Sequence, residues 1–444
     1  MAARKDAFKK GLSERGSSER LKELSTSMRK EKRSTEFKRF RSGDQLESMG
    51  MEDGQPPQDG IEMNDAALHQ AICLVQANES KEQVMEGMLT MRRFLCSRDA
   101  PIQPIIDSGI IRTFIALLAC NDEPLVTEIV WCLTNIATGD HAQTGEVIGA
   151  APSLLRVVGD ESFSATLKEQ VCWTIGNVAG DSDHYRQILL QHGALQSLSS
   201  FLFKSMDLLQ LLLQQPVLAD ADGGSGSSSS SSSSQLGHNA TVVAGDSSGW
   251  SIAPVTSASA ALSAALTRTG TVCWSLSNLA RGTTTAAAFI GSGVVPPLLG
   301  LMQLAEQQRQ QTMTTPFPPS SSHSGCSTVL ASESAVASMR SLMVDVSWIF
   351  VFLTAKEEDA VDTLLQQGLV EALVALLLTP HSPSGSGGLF TSSQDPQLVI
   401  PVLRCLGNVG HGPPEWREVG DLSFLLSLTN ACTLLTITFT LYPP

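Results

Sequence analysis

Apolar residues recur at spacings of three and four along most of the chain, and strand-like alternation is scarce before the last twenty positions. This period places apolar side chains on one face of α-helices. A glycine directly precedes an apolar segment in DSGIIRTFIALL (107–118), QHGALQSLSSFL (191–202), GSGVVPPLLGLM (291–302) and QQGLVEALVALL (366–377). Such a glycine predicts the end of one short helix and a sharp turn into the next. The chain is therefore predicted to be all-α.

Five further segments carry two distinctive residues four positions apart on an otherwise apolar helix, where both side chains share one face. We call these pairs the ladder positions. A lone tryptophan on an apolar helix is usually part of the core, but the return of an amide beside it favours a binding surface. The pairs are Trp131 and Asn135, Trp173 and Asn177, Trp274 and Asn278, Trp348 and Phe352, and Arg404 and Asn408.

The spacing of the ladder positions indicates a repeat. The first two tryptophans lie 42 residues apart, which is typical of three-helix armadillo repeats. Later spacings are longer, and Ser/Gly/Pro-rich insertions near 219–250, 306–336 and 380–395 account for the excess. Insertions at one phase of a repeat map to loops on one edge. We predict an all-α, right-handed superhelical armadillo solenoid of about six repeats over residues 61–412.

Composition excludes several classes of function. The nine cysteines form no C-x-x-C pair, and Cys132, Cys172 and Cys273 beside ladder tryptophans are predicted to be buried thiols in a reducing compartment. The sequence has no histidine cluster, nucleotide-binding loop or nucleophile–base motif, so we expect no enzyme activity, metal or cofactor. The charged N-terminus lacks the apolar run of a signal peptide.

The net charge of −14 is divided unevenly along the chain. Residues 1–41 carry 14 Lys or Arg and 6 Asp or Glu, whereas the remainder carries 16 and 38. A basic arm (1–60) therefore precedes an acidic body, which should attract basic ligands and makes nucleic acid a poor partner.

The ladder positions suit recognition of an extended basic peptide. An asparagine carboxamide both donates to and accepts from a peptide backbone. Lys or Arg side chains can run between neighbouring indoles, with a cation–π attraction of roughly 0.5–2 kcal/mol each. Asp181 and Asp345, which lie beside ladder positions, are predicted to pair with the cationic heads.

The order of the ladder positions resembles the importin-α family of nuclear import adaptors, including Phe352 in place of Asn and Arg404 in place of Trp. The resemblance implies an adaptor that binds basic nuclear localisation signals of cargo and shuttles between cytoplasm and nucleus. Arg281 matches a family position that conditions the groove between its two sites. Residues implied for the major site are Trp131, Asn135, Gly139, Thr144, Trp173, Asn177, Asp181, Trp274 and Asn278, and those leading into the minor site are Asp345, Trp348, Arg404 and Asn408.

Residues 8–42 resemble the importin-β-binding segment of the same family, which implies importin-β as a partner. Leu21, Leu24 and Met28 form one apolar stripe on a basic helix. Phe40 interrupts the last basic cluster, and the arginines expected near 15–22 are fewer than in the family. The basic residues implied to contact importin-β are Lys9, Lys10, Arg29, Lys30, Lys32, Arg33, Lys38, Arg39 and Arg41.

The chain has fewer repeats than the family normally has, and residues 413–444 form an atypical apolar tail. We expect this end to lack most of the minor site and the export-receptor region. Residues 422–442 carry no charge, but their many polar residues make a membrane anchor a weak alternative to a cap on the last repeat. Two alternatives to the adaptor remain: an armadillo scaffold of the catenin type, and a truncated decoy adaptor.

Overall fold

The computed structural model describes residues 64–97, 100–214, 258–284, 286–314, 333–377 and 396–416. Every regular element in these ranges is helical, so the all-α prediction is confirmed. The chain divides into two compact units, Met1–Leu198 with Ser275–Thr284, and Ser199–Trp274 with Thr285–Pro444. The predicted arm, the Ser-rich insertion at 219–250 and the tail beyond Trp416 lie outside the described residues.

A helix pair is followed by triplets in which a short helix, an apolar helix and a long ladder helix succeed one another. The pair is α1 (Asp65–Ala77) and α2 (Lys81–Cys96). The next helices are α3 (Ile102–Asp107), α4 (Ile110–Leu117) and α5 (Glu123–Ile136), then α6 (His141–Val147), α7 (Ala151–Gly159) and α8 (Ala165–Asp181). Helix α5 packs against both α2 and α8, so successive long helices are neighbours in the first unit.

The later triplets repeat this order. They are α9 (Asp183–Gln191), α10 (Ala194–Gln214) and α11 (Ala258–Ala280); α12 (Ala286–Gly291), α13 (Val295–Thr314) and α14 (Glu333–Thr354); and α15 (Glu358–Gln366), α16 (Leu369–Leu377) and α17 (Pro396–Gly410). Helix α14 packs closely on α17 in the second unit. Helices α13 and α14 extend into both ends of the insertion predicted at 306–336.

Glycines make the turns between the first two helices of four triplets. Gly109, Gly193, Gly293 and Gly368 have φ angles of 73°, 82°, 75° and 86°. A Cβ atom is strained in this left-handed region, so glycine is the residue that ends one helix and starts the next within a few residues. These are the four glycines that the sequence pattern singled out. The triplet of α6–α8 uses a 3₁₀ turn, Ile148–Ala150, instead.

Side-chain caps set the starts of several helices. Ser80, Ser164 and Ser182 accept from backbone N–H groups in the first turns of α2, α8 and α9. Asp140 and Gln143 form a reciprocal capping box at the start of α6. These caps satisfy donors that a helix leaves unpaired at its N-terminus.

The long helices form the core. Cys132, Cys172 and Cys273 are fully buried, as predicted, and burial raises the pKa of each thiol above its usual range. These thiols are therefore unreactive packing groups.

Residues Ser334–Thr354 of α14 are apolar and long enough to cross a membrane, with a mean hydropathy of 1.6. Half of this segment is buried inside the fold, and α17 packs on it. A helix at the centre of a core can have the same length and apolar composition as a membrane span. Packing in the core therefore explains the apolar composition of α14.

Candidate functional site

Trp131 on α5 and Trp173 on α8 lie against each other. Their ring centroids are 5.8 Å apart, the ring planes meet at 76°, and only 7% and 5% of the two residues is exposed. A side-chain stem between two rings needs a contact distance of about 3.5–4.0 Å on each side. The gap expected between these two indoles is therefore closed, and a lysine stem enters only after one indole rotates.

The ladder asparagines hold neighbouring long helices together. The side-chain amide of Asn177 donates to the Thr134 carbonyl at 3.4 Å, and that of Asn278 donates to the Gly176 carbonyl at 3.2 Å. Each acceptor immediately precedes the ladder asparagine of the previous long helix. Asn135 donates instead to the carbonyl of Trp131 on its own helix, at 2.9 Å.

Asn408 repeats this bond in the second unit, where its amide donates to the Val351 carbonyl at 3.2 Å. The acceptor again precedes a ladder position, Phe352. The return of the amide, which favoured a binding surface in the sequence, therefore also has a packing reason, because the amide joins one repeat to the next. Its carbonyl oxygen can serve as an acceptor at the same time.

A buried hydroxyl network reinforces the contact of α5 with α8. The hydroxyls of Thr134 and Thr174 are 2.6 Å apart, and the Gln170 amide donates to the Thr134 hydroxyl at 2.9 Å. All three residues are at least nine-tenths buried. This network fixes the register of the two long helices that carry the first indoles.

A cation already lies over the first ladder indole. The guanidinium carbon of Arg92, on α2, is 5.8 Å from the Trp131 ring centroid. Arg92 also pairs with Glu128 at 2.9 Å. Burial raises the pKa of Glu128, and the charge of Arg92 opposes that rise. The sequence pattern missed Arg92 because α2 carries no ladder pair.

Asp181, the predicted acidic partner for a peptide cation, is paired with a histidine. The Asp181 carboxylate contacts Nδ1 of His141, and its side chain is only 5% exposed. Nearby, the hydroxyl of Thr144 is buried and donates to the Ala137 carbonyl at 3.4 Å, and Gly139 is buried beside the capping box. The sequence reading missed His141, although it lies between Gly139 and Thr144 in the chain.

The ladder positions of the second unit form a separate group. The Trp348 ring stacks on Phe352, with centroids 5.8 Å apart, and the Arg404 guanidinium carbon is 5.7 Å from the Trp348 centroid. Trp274 is half-buried. Burial and then the charge of Asp345 raise the pKa of Cys273, which places the Asp345 carboxylate near the helix that carries Trp274.

The structure therefore gathers the predicted residues into two groups, one in each unit. The basic arm residues and their contacts lie outside the described residues. Arg281 approaches Asn278, with its guanidinium 3.4 Å from the amide oxygen. The first group is Trp131, Asn135, Gly139, Thr144, Trp173, Asn177, Asp181 and Asn278; the second is Trp274, Asp345, Trp348, Arg404 and Asn408.

Helix triplets with glycine turns and ladder helices are the architecture of armadillo repeats, and a family model agrees over part of the chain. The model "Armadillo/beta-catenin-like repeat" matches residues 98–138, the span of α3 to α5. The predicted all-α armadillo fold is therefore confirmed.

Known proteins confirm the predicted relation to importin α. "Importin subunit alpha-9" of Arabidopsis thaliana is 24% identical over 336 residues, which is 75% of this chain and 45% of the relative. "Importin subunit alpha-2" of the same plant is 36% identical over 127 residues, 28% of this chain and 23% of the relative. A designed armadillo repeat protein in complex with peptide (KR)4 aligns over 77% of this chain and 98% of its own, with 16% identity and a TM-score of 0.47. The chain thus spans less than half the length of these curated relatives.

Proposed function

We propose that this protein is a nuclear import adaptor. In this proposal the ladder positions bind basic nuclear localisation signals of cargo, and the N-terminal arm links the cargo to importin-β. The protein would then act in both cytoplasm and nucleus, without catalysis. The similarity to importin α proteins supports an import adaptor or an armadillo scaffold at the level of the family.

The observation that carries the peptide-binding proposal is a guanidinium over a ladder indole in each unit. Arg92 lies over Trp131, and Arg404 lies over Trp348. These are the contacts that an arginine or lysine of a bound peptide would make. In each unit one face of the indole thus already lies near a guanidinium of the chain itself, about 6 Å from the ring centroid.

The closed contact between Trp131 and Trp173 sets a requirement for binding. The buried Nε1–H of Trp173 has no acceptor among the described residues, and an unmet donor of this kind costs about 1–3 kcal/mol. Rotation of the Trp173 indole towards a peptide would open the gap and offer this donor to a peptide carbonyl. Peptide binding is therefore expected to change tryptophan fluorescence.

The charge of the body supports a basic ligand. Residues 42–444 carry 16 Lys or Arg against 38 Asp or Glu, and Asp181 lies at the end of the helix that carries Trp173. An acidic body attracts a basic peptide at long range and disfavours nucleic acid. This balance favours the adaptor over a catenin-type scaffold.

Isothermal titration with an alternating Lys–Arg octapeptide tests whether the ladder positions bind a basic peptide. We expect micromolar or tighter binding to the full chain, and Asp181→Asn should weaken it about tenfold because a charged hydrogen bond contributes roughly 1.5–3 kcal/mol. Asp65→Asn on exposed α1 makes the same change in net charge and is the matched control. If both variants weakened binding equally, the effect would come from net charge and not from a contact with Asp181. Absence of binding, even with residues 1–60 deleted, would exclude the adaptor.

A pull-down with importin-β tests the arm independently of the groove. The intact chain should retain importin-β, and changing Arg29, Lys30, Lys32 and Arg33 to Glu should abolish retention because the acidic receptor needs those charges. The same variant should still bind the octapeptide, which controls for folding. Retention of importin-β by the Glu variant would refute the arm's proposed role. If the chain binds both the octapeptide and importin-β but imports no basic cargo into nuclei of permeabilised cells, that result would identify it as the truncated decoy adaptor.

A further inference from the structure

A histidine covers the acidic group of the candidate peptide site. The Nδ1 atom of His141 contacts the Asp181 carboxylate, whose side chain is 5% exposed, whereas 57% of the histidine side chain is exposed. A cation reaching Asp181 from solvent therefore meets the imidazole first. The pair joins the start of α6 to the end of α8, across 40 residues of sequence.

Contacts from two other directions hold the imidazole over Asp181. The Tyr185 ring stacks on it, with centroids 4.9 Å apart and planes 16° apart, and the Tyr185 hydroxyl donates to the His141 carbonyl at 3.1 Å. The capping box of Asp140 and Gln143 fixes the backbone on which His141 stands. The imidazole is therefore placed by packing and does not reach the carboxylate by chance rotation.

The surroundings of His141 carry more negative than positive charge. Asp181, Glu146 and Asp140 all raise the pKa of Tyr185, which burial raises first. The last turn of α5, Leu133–Ile136, is uncharged, and so is the 3₁₀ turn. The titratable or charged groups of α6 and its cap are Asp140 and Glu146. The helices around α6 carry Asp107 on α3, Glu123, Glu128 and Cys132 on α5, Lys168, Glu169, Cys172 and Asp181 on α8, and Asp183, His184, Tyr185 and Arg186 on α9.

We propose that His141 occupies the place on Asp181 that a peptide cation takes, and that a lysine or arginine of a basic peptide displaces the imidazole from this carboxylate. The inference rests on the proposed peptide-binding function. One buried carboxylate cannot pair fully with two cations, so an imidazolium on Asp181 competes directly with the peptide. When the peptide cation takes its place near neutral pH, the imidazole is exposed to solvent and its added proton passes to the buffer.

This competition sets a pH dependence with a definite sign. An imidazole is mostly protonated at about pH 5 and mostly neutral at about pH 8. A neutral imidazole can still donate one hydrogen bond to Asp181 but no longer pairs as a charge, which makes it the weaker competitor. Affinity for a basic peptide therefore rises with pH, whereas lysine and arginine of the peptide stay charged throughout.

Isothermal titration of the full chain with the alternating Lys–Arg octapeptide at pH 5.5 and pH 7.5, at one ionic strength, tests the proposal. The affinity of the unchanged protein should rise about fivefold between the two pH values. Titrations near pH 7 in buffers of different ionisation enthalpy should show net proton release on binding, because a displaced imidazole is mostly neutral there. His141→Ala should bind more tightly at pH 5.5 and lose most of the pH dependence and the proton release.

Two further variants separate charge from shape and from folding. His141→Gln keeps a donor near Asp181 but cannot titrate, so its affinity should not change between the two pH values. His184→Ala, an exposed histidine beside Tyr185, should behave like the unchanged protein. If the His141 variants keep the full pH dependence while the octapeptide binds, His141 has no such role and the peptide site stands. If no variant binds the octapeptide at either pH, the proposed function fails and this inference with it.

Discussion

Two asparagine side chains of the first unit contribute both to packing and to the proposed peptide site. The amides of Asn177 and Asn278 donate to carbonyls of the preceding long helix. The same residues belong to the peptide site that we propose. Substituting either asparagine would therefore perturb both packing and binding, because the amide is buried in the junction between repeats. Residues that pack without facing a peptide give cleaner tests of stability.

Thr134→Val is such a test. It removes the hydroxyl that accepts from Gln170 and contacts Thr174, with almost no change in shape. A buried amide that loses its acceptor costs about 1–3 kcal/mol, so the free energy of unfolding in urea should fall by that amount. Thr127→Val is the control, since its half-buried hydroxyl bonds only to the Glu123 carbonyl of its own helix. It should change stability by about 0.5 kcal/mol or less. Equal losses in both variants would contradict an inter-helix role for Thr134.

At the scale of elements, the glycine turn is the feature that makes the triplet possible. Helices α3 and α4 meet at Gly109, whose φ of 73° lets the chain reverse within one residue. The following apolar helix can then return to the core without a loop. The second triplet, which lacks such a glycine, needs a 3₁₀ turn between α6 and α7 for the same purpose.

Gly109→Ala isolates this backbone requirement, because a Cβ at Gly109 would meet no atom within 4 Å. The left-handed conformation alone should lower the free energy of unfolding by about 1–2 kcal/mol. Gly159→Ala is a matched control with equally open space, at the end of α7 and without a positive φ. Alanine favours the helix there, so stability should stay constant or rise by up to about 1 kcal/mol. A loss at Gly159 equal to that at Gly109 would contradict the backbone explanation, because a Cβ has open space at both positions.

At the scale of the whole molecule, charge separates the two ends of the chain. The first 41 residues carry 14 basic and 6 acidic side chains and precede an acidic body. A tethered basic segment is present at a high effective concentration, on the order of millimolar for a short flexible linker. It would compete with a separate basic peptide for the same groove.

Deletion of residues 1–60 should therefore raise the affinity for the Lys–Arg octapeptide severalfold, as measured by isothermal titration. A synthetic peptide of residues 8–42, added to the shortened protein, should restore the weaker apparent affinity. Both affinities should fall as salt is raised from 50 to 300 mM, because screening weakens exposed charge contacts. An unchanged affinity after the deletion would show that the arm does not enter the groove.

The sequence by itself determined the helical class, the turn glycines, the buried thiols and the positions of the ladder residues. These features are local, because helix periodicity and the φ preference of glycine depend on neighbours within a few residues. They predicted Gly109 as a turn and Cys132 as a core thiol, and they placed Trp173 and Asn177 on one helix.

Only the tertiary structure decided what those side chains contact. Thr134 meets Thr174, and His141 meets Asp181, each across 40 residues of sequence; Asn177 reaches the Thr134 carbonyl across 43. Partners in neighbouring repeats are chosen by packing, which sets rotamers and removes water, and no local pattern encodes that choice. The contact between the two indoles and the contact of His141 with Asp181 therefore depend on how the repeats stack, and no local sequence pattern predicts them.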